Sequence, residues 1–151
     1  MSYTERFSEM HYPLVMVPPA TYSAAAEVIT AYVSLANYHR AALVIHLGNV
    51  TATGTLLARL LQATNTSGGS AKGIPTTATQ DKITTALANA DDNGVVVIEL
   101  RTEELDVDNG FDCVAIGYDV DTDSVPFSAV LYGIEPRFPP VSSAGYNEIV
   151  A

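Results

Sequence analysis

Residues 111–120 run Phe-Asp-Cys-Val-Ala-Ile-Gly-Tyr-Asp-Val. Val114, Ile116, Tyr118 and Val120 fall on one face at the two-residue period of a β-strand, with Phe111, Cys113 and Ala115 on the other. Two similar runs flank this one: Val-Val-Val-Ile-Glu-Leu-Arg at 95–101 and Phe-Ser-Ala-Val-Leu-Tyr-Gly-Ile at 127–134. Strands that are apolar on both faces are expected at the centre of sheets, covered from each side. Links rich in Asp, Asn, Gly and Pro separate the three runs at hairpin-like spacing. Before the first of them, Asp91-Asp92-Asn93-Gly94 is a strong turn, since Asn-Gly readily takes positive φ.

Upstream, residues 27–35 and 41–47 also read as strands. In the second, Leu43, Ile45 and Leu47 share a face, and His46 is expected to be a packed residue. Residues 54–63 are ambiguous. Leu56, Leu57, Leu60 and Leu61 make a helical stripe, and periodicity alone favours a helix. Residues 64–79 read as a loop, and 80–90 as a short helix or an edge strand around Ile83 and Leu87. Short strands, turn-rich links and little helical signal define an all-β chain, an antiparallel β-sandwich.

The two ends read differently. Residues 1–20 carry Tyr12, Leu14, Val15, Met16 and Val17 among Pro13, Pro18 and Pro19, and the prolines interrupt regular hydrogen bonding. Residues 136–151 begin Pro-Arg137-Phe138-Pro-Pro and are again proline-punctuated. The expected organisation is an N-terminal arm over 1–20, a sandwich over 21–135 and a C-terminal arm over 136–151. A floppy tail would be polar. These arms are apolar, so Tyr12, Leu14, Val15, Met16, Val17, Arg137 and Phe138 are the interface candidates.

The composition bounds function. The 151 residues carry a formal net charge of −10, and only 16% are charged, against a usual share of roughly 25%. The seven Lys and Arg residues are scattered, without the cluster that phosphate neutralisation requires, so no nucleic-acid partner is expected. No apolar run approaches the ~20 residues of a membrane span, and the N-terminus lacks the pattern of a secretory signal. The single cysteine, Cys113, cannot form an internal disulfide.

No constellation for chemistry stands out. Asp119-Val-Asp121-Thr-Asp123 opens like a calcium loop, but Ser124 and Val130 occupy the places of its Gly and Glu, and Pro126 intervenes. Asp106-Val-Asp108-Asn109-Gly110 opens similarly, with Gly117 at the twelfth place. Both read as solvated turns in which Asp caps its own backbone. His11, His39 and His46 have no zinc spacing. There is no Gly-x-Ser-x-Gly elbow, and Lys72 lacks the following Ser or Thr of a phosphate loop. No cofactor, metal or catalytic residue is expected, and an enzyme is the least favoured class.

Taken in order, three stretches carry a resemblance. They are Ala41–Gly48 followed by Gly54–Thr64 and a Ser-Gly-Gly loop; Gly94–Leu100 with Glu104–Phe111; and the ending Ala129–Pro140. Together the chain resembles the capsid decoration, or cement, proteins of tailed bacteriophages. The resemblance implies a strand at 54–63, which overrides the helical stripe, and a jelly-roll-like β-sandwich. It also implies attachment to the outside of an assembled shell, as a homo-oligomer, often a trimer, with the major capsid protein as partner. Such a protein is made in the bacterial cytoplasm and ends in the virion. It brings no catalytic residues. Two alternatives stay open: another phage component such as a head–tail connector or tail protein, and a carbohydrate-binding sandwich whose platform would use Tyr22, Tyr32 or Tyr38.

Overall fold

The structure, a computed structural model, describes residues 6–23, 25–77, 80–138 and 146–150. A single helical turn, α1 (Phe7–Met10), leads into β1 (His11–Tyr22). Ten strands follow: β2 (Val28–Ile29), β3 (Val33–Ser34), β4 (Tyr38–Leu47), β5 (Thr55–Ala63), β6 (Lys72–Gly73), β7 (Pro75–Thr77), β8 (Gln80–Asp81), β9 (Val95–Arg101), β10 (Cys113–Asp121) and β11 (Val125–Pro136). Short 3-10 turns stand at 89–91, 102–104 and 107–109.

Two antiparallel sheets pack face to face. The first has the order β1-β11-β4-β9; in the second β2 and β3 both pair with β10, which pairs with β5, which pairs with β6. The chain is therefore an all-β antiparallel sandwich. Leu43 and Ile45 of β4 and Phe127, Ala129 and Leu131 of β11 meet Leu56 and Leu60 of β5 and Val114 and Ile116 of β10 in one core. The strand at 111–120 is buried on both faces as its pattern requires.

Residues 54–63 form a strand. Their paired leucines serve both faces of β5: Leu56 and Leu60 lie in the core, and Leu61 lies opposite Ala115 on the outer face. On that face Glu27 accepts a two-pronged hydrogen bond from Arg59 at 2.5 and 2.6 Å. Segment 27–35 is broken into the two-residue strands β2 and β3 rather than one run.

Three expectations need correction. The N-terminal segment is an edge strand from His11 onward, paired with β11 from His11↔Ile134 to Tyr22↔Val125. Its prolines are accommodated because an edge strand can turn an N–H position to solvent and because the register shifts between Pro13 and Val15 and again between Val17 and Ala20. Second, β9 is an edge strand, with Val95 and Val97 more than half exposed on the outer face, although its apolar run predicts a central position. Third, His46 is exposed on that same face rather than packed. Residues 1–5, 139–145 and 151 of the two expected arms lie outside the described residues.

Candidate interaction surfaces

The pleat of the first sheet sends alternate side chains of β1 in opposite directions. Val17 is only 2% exposed in the core, and Tyr12, Leu14 and Val15 pack against it from the edge. Tyr12 also stacks on Tyr38 with ring centroids 6.2 Å apart. Met16 points the other way and is 59% exposed. The sequence candidates thus divide: Tyr12, Leu14, Val15 and Val17 are partners of their own sandwich, and Met16 is presented to the outside.

Met16 does not stand alone. It pairs with Val130, Val130 with Val44, and Val44 with Val97. An apolar row therefore crosses all four strands of the first sheet on its outer face, and Val95 extends it along β9. Where this face meets the N-terminal turn, Phe7 stacks on His11 at 4.2 Å and meets the edge of Tyr132 at 5.9 Å, and the Tyr146 hydroxyl donates to the His11 carbonyl. The C-terminal residues are so tied back to β1.

Arg137 lies at one end of the sandwich, against a cleft of about 680 Å³ whose floor includes Leu35, Leu105 and Phe111. Its backbone N–H donates to the Asn37 carbonyl, and its side chain reaches the Tyr38 carbonyl at 3.5 Å. Two other guanidiniums at this cleft face carboxylates: Arg40 is 3.3 Å from Glu135, and Arg101 is 3.5 Å from Glu103. Phe138, next in sequence, is 77% exposed. The apolar row and this end are separate features, so Met16 and Arg137–Phe138 do not form one site.

The acidic loops use their carboxylates locally. Asp106 accepts from Lys72 and, at 2.7 Å, from the Asn109 amide; Lys72 first and Asn109 second hold its carboxyl below the usual range. Asp123 accepts from the Ser124 backbone N–H at 2.7 Å and the Thr51 hydroxyl at 2.9 Å, and is lowered by the same two groups in that order. Among the described residues no group of three or more His, Cys, Asp or Glu is arranged to hold a metal ion. No helix among them is long and apolar enough to cross a membrane. Cys113 is buried, and that burial, with Asp112 beside it, pushes its thiol up to about 11.

The tyrosines of a sugar platform are employed otherwise. Tyr22 packs on Phe127 at 4.7 Å and on Tyr118 at 5.4 Å, Tyr38 is buried, and the Tyr32 hydroxyl is enclosed without a hydrogen-bond partner among the described residues. Sequence reasoning also passed over Gln62, a fully buried polar residue whose amide donates to the Gly73 carbonyl at 3.0 Å and whose oxygen accepts from the Asp106 N–H at 2.9 Å.

No family model matches this chain, and no curated protein matches it. Among solved structures it is similar to a chain from turnip yellow mosaic virus, at 10% identity and a TM-score of 0.30, over 86% of this chain and 89% of that one. A likeness at that score carries no argument for fold or function.

Proposed function

We propose that this chain is a non-enzymatic structural protein of a tailed-bacteriophage particle, and specifically a decoration protein. It would sit on the outside of the capsid and stabilise contacts between capsomers, with the major capsid protein as partner. The observation that carries this reading is the strand order. Taking β2 with β3 as one strand and leaving the β7–β8 hairpin aside, the strands in chain order are β1, β2/3, β4, β5, β6, β9, β10 and β11. Numbered so from one to eight, they form sheets of order 1-8-3-6 and 2-7-4-5. Successive strands change sheet at every step except the middle one, and we read this as a jelly roll, an architecture used in viral shells and lectins.

A fold by itself does not fix a function. The resemblance of the residues at 41–140 to decoration proteins favours the shell over the lectin, and the packed Tyr22 and Tyr38 do not favour a sugar platform. The surface that suits the role is the outer face of the first sheet, where the row Met16–Val130–Val44–Val97 offers flat apolar area to a partner.

The test is co-sedimentation of the purified chain with assembled shells of the phage that encodes it. The chain should pellet with shells, and Met16→Lys, at an exposed position, should remain folded and pellet several-fold less. A chain that stays in the supernatant at all concentrations would overturn the role. Equal pelleting of Met16→Lys would overturn the assignment of the face.

A further inference from the structure

The first sheet ends in two edges that the sequence treats in opposite ways. The β1 edge carries Pro13, Pro18 and Pro19 and two register shifts, all devices that prevent another strand from pairing there. The β9 edge carries none of them. Its residues Val95-Val96-Val97-Ile98 are uncharged, β-branched and free of proline.

Alternate backbone groups of that edge are turned away from β4. Lys82 Nζ donates to the Glu99 carbonyl at 2.7 Å, so Glu99 turns its backbone away from β4. Gly94 does the opposite, its carbonyl accepting from the Leu47 N–H at 3.0 Å. By the two-residue period, Val95 and Val97 direct their N–H and C=O groups to the free side with Glu99. Their side chains, 59% and 51% exposed, continue the apolar row of the outer face. The groove beside this edge, about 410 Å³, is bounded across from it by Lys82, Ile83, Thr85 and Leu87.

We propose that β9 is a strand-pairing site for a second copy of this chain, with β9 running antiparallel to β9 of that copy about a two-fold axis at Val97. The inference does not rest on the virion reading. A second copy suits the edge because β9 is complementary to itself in this register. Val97 faces Val97 and Val96 faces Ile98, so apolar groups meet. Glu99 meets Val95, so no like charges stand directly opposite. Arg101 of one copy falls beside Asn93 of the other, next to the acidic Asp91-Asp92 turn. Within its own chain its guanidinium approaches the Glu103 carboxylate at 3.5 Å, with both side chains largely exposed. Pairing makes one continuous eight-stranded sheet and doubles the apolar row across it. Glu99 would exchange its Lys82 partner for a backbone donor of the second copy. The interface uses the same patch on both subunits, as a closed two-fold dimer requires.

The experiment uses the full chain and light scattering after size exclusion, with hydrogen exchange at the Val95 and Val97 amides. The parent is expected at twice its 16.0 kDa chain mass, with both amides protected and losing protection on dilution. Val97→Lys and Val97→Glu alter an exposed side chain. Each alone should be a folded monomer, because like charges then face each other across the axis. Mixed in equal amounts, the two should re-form a dimer. A parent that is monomeric at all concentrations, or trimeric, would overturn the proposal. So would a dimer that both variants retain, or a mixture that stays monomeric while each variant keeps the parent's circular dichroism.

Discussion

The ring of Tyr38 lies against the backbone of Gly133, so that a Cβ built on the glycine would stand 2.7 Å from two of its ring carbons. Tyr38 is buried and stacked on Tyr12, the residue that pairs with Gly133 across the edge of the sheet. The ring has little room to retreat. Gly133→Ala should therefore destabilise the fold by about 1–3 kcal/mol, the range for overpacking a filled core. Urea denaturation measures this; an unchanged midpoint would mean that the Tyr38 ring moves freely.

Gln62 joins three parts of the second sheet's margin, with its amide on Gly73 and its oxygen on the Asp106 N–H. Replacing it by Leu keeps the volume and strands both backbone groups. Each costs about 1–3 kcal/mol when left unpaired and buried. Gln62→Leu should lower the urea midpoint more than Gly133→Ala does, and a neutral result would show that water reaches both groups.

Acid should weaken the fold through Asp106 and Asp123. Both carboxyls are held below their ordinary values, Asp106 by Lys72 and Asn109, Asp123 by Ser124 and Thr51. A depressed carboxyl contributes stability above its unfolded pKa, roughly 4, and loses that contribution as pH falls through its folded value. Stability should hold at neutral pH and decline below about pH 4. Asp106→Asn should be less stable than the parent at pH 7 and closer to it at pH 3. Parallel stability curves for the two proteins would contradict the assignment.

The Cys113 thiol, buried and raised to about 11, is a poor thiolate at neutral pH. A disulfide reagent at pH 8 should leave it unmodified in the folded protein and react fully in urea. Rapid labelling without denaturant would mean that β10 opens readily.

Treating residues 1–20 as an arm leads to the expectation that removing 1–18 weakens shell binding and leaves the sandwich folded. The position of β1 reverses that. Deletion of 1–18 strips most of β1, including core residue Val17, and opens the edge of β11. The truncated chain should be markedly destabilised or aggregate. Its folding with an unchanged urea midpoint would restore the arm.

How much could be read from the residues follows from how burial marks them. The strand at 111–120 was legible because both its faces are apolar and both are covered. The valines of 95–101 send the same signal from an edge, since periodicity reports which face a side chain shares and not what lies over it. Leu56, Leu57, Leu60 and Leu61 fit a helical stripe and a two-faced strand equally, and only their pairing with 115–120 decides. The prolines of 1–20 imply a broken ladder, yet an edge strand with bulges absorbs them. Of the interface candidates, Met16, Arg137 and Phe138 are presented outward; the pleat that buries Val17 beside Met16 is visible only once β1 is known to be a strand. Gln62 gave no signal because a glutamine in a leucine run reads as an exposed position, and its two backbone partners lie far away in sequence.

The most direct test of the central claim is the number of copies of this chain in purified particles of the phage that encodes it, from quantitative mass spectrometry against the major capsid protein. Shell decoration requires on the order of hundreds of copies, set by the symmetric sites of the shell, whereas a connector ring requires about a dozen. A ratio to the capsid protein near one, or a simple fraction of it, is the result expected. A dozen copies or fewer per particle, or absence from the particle, would contradict it.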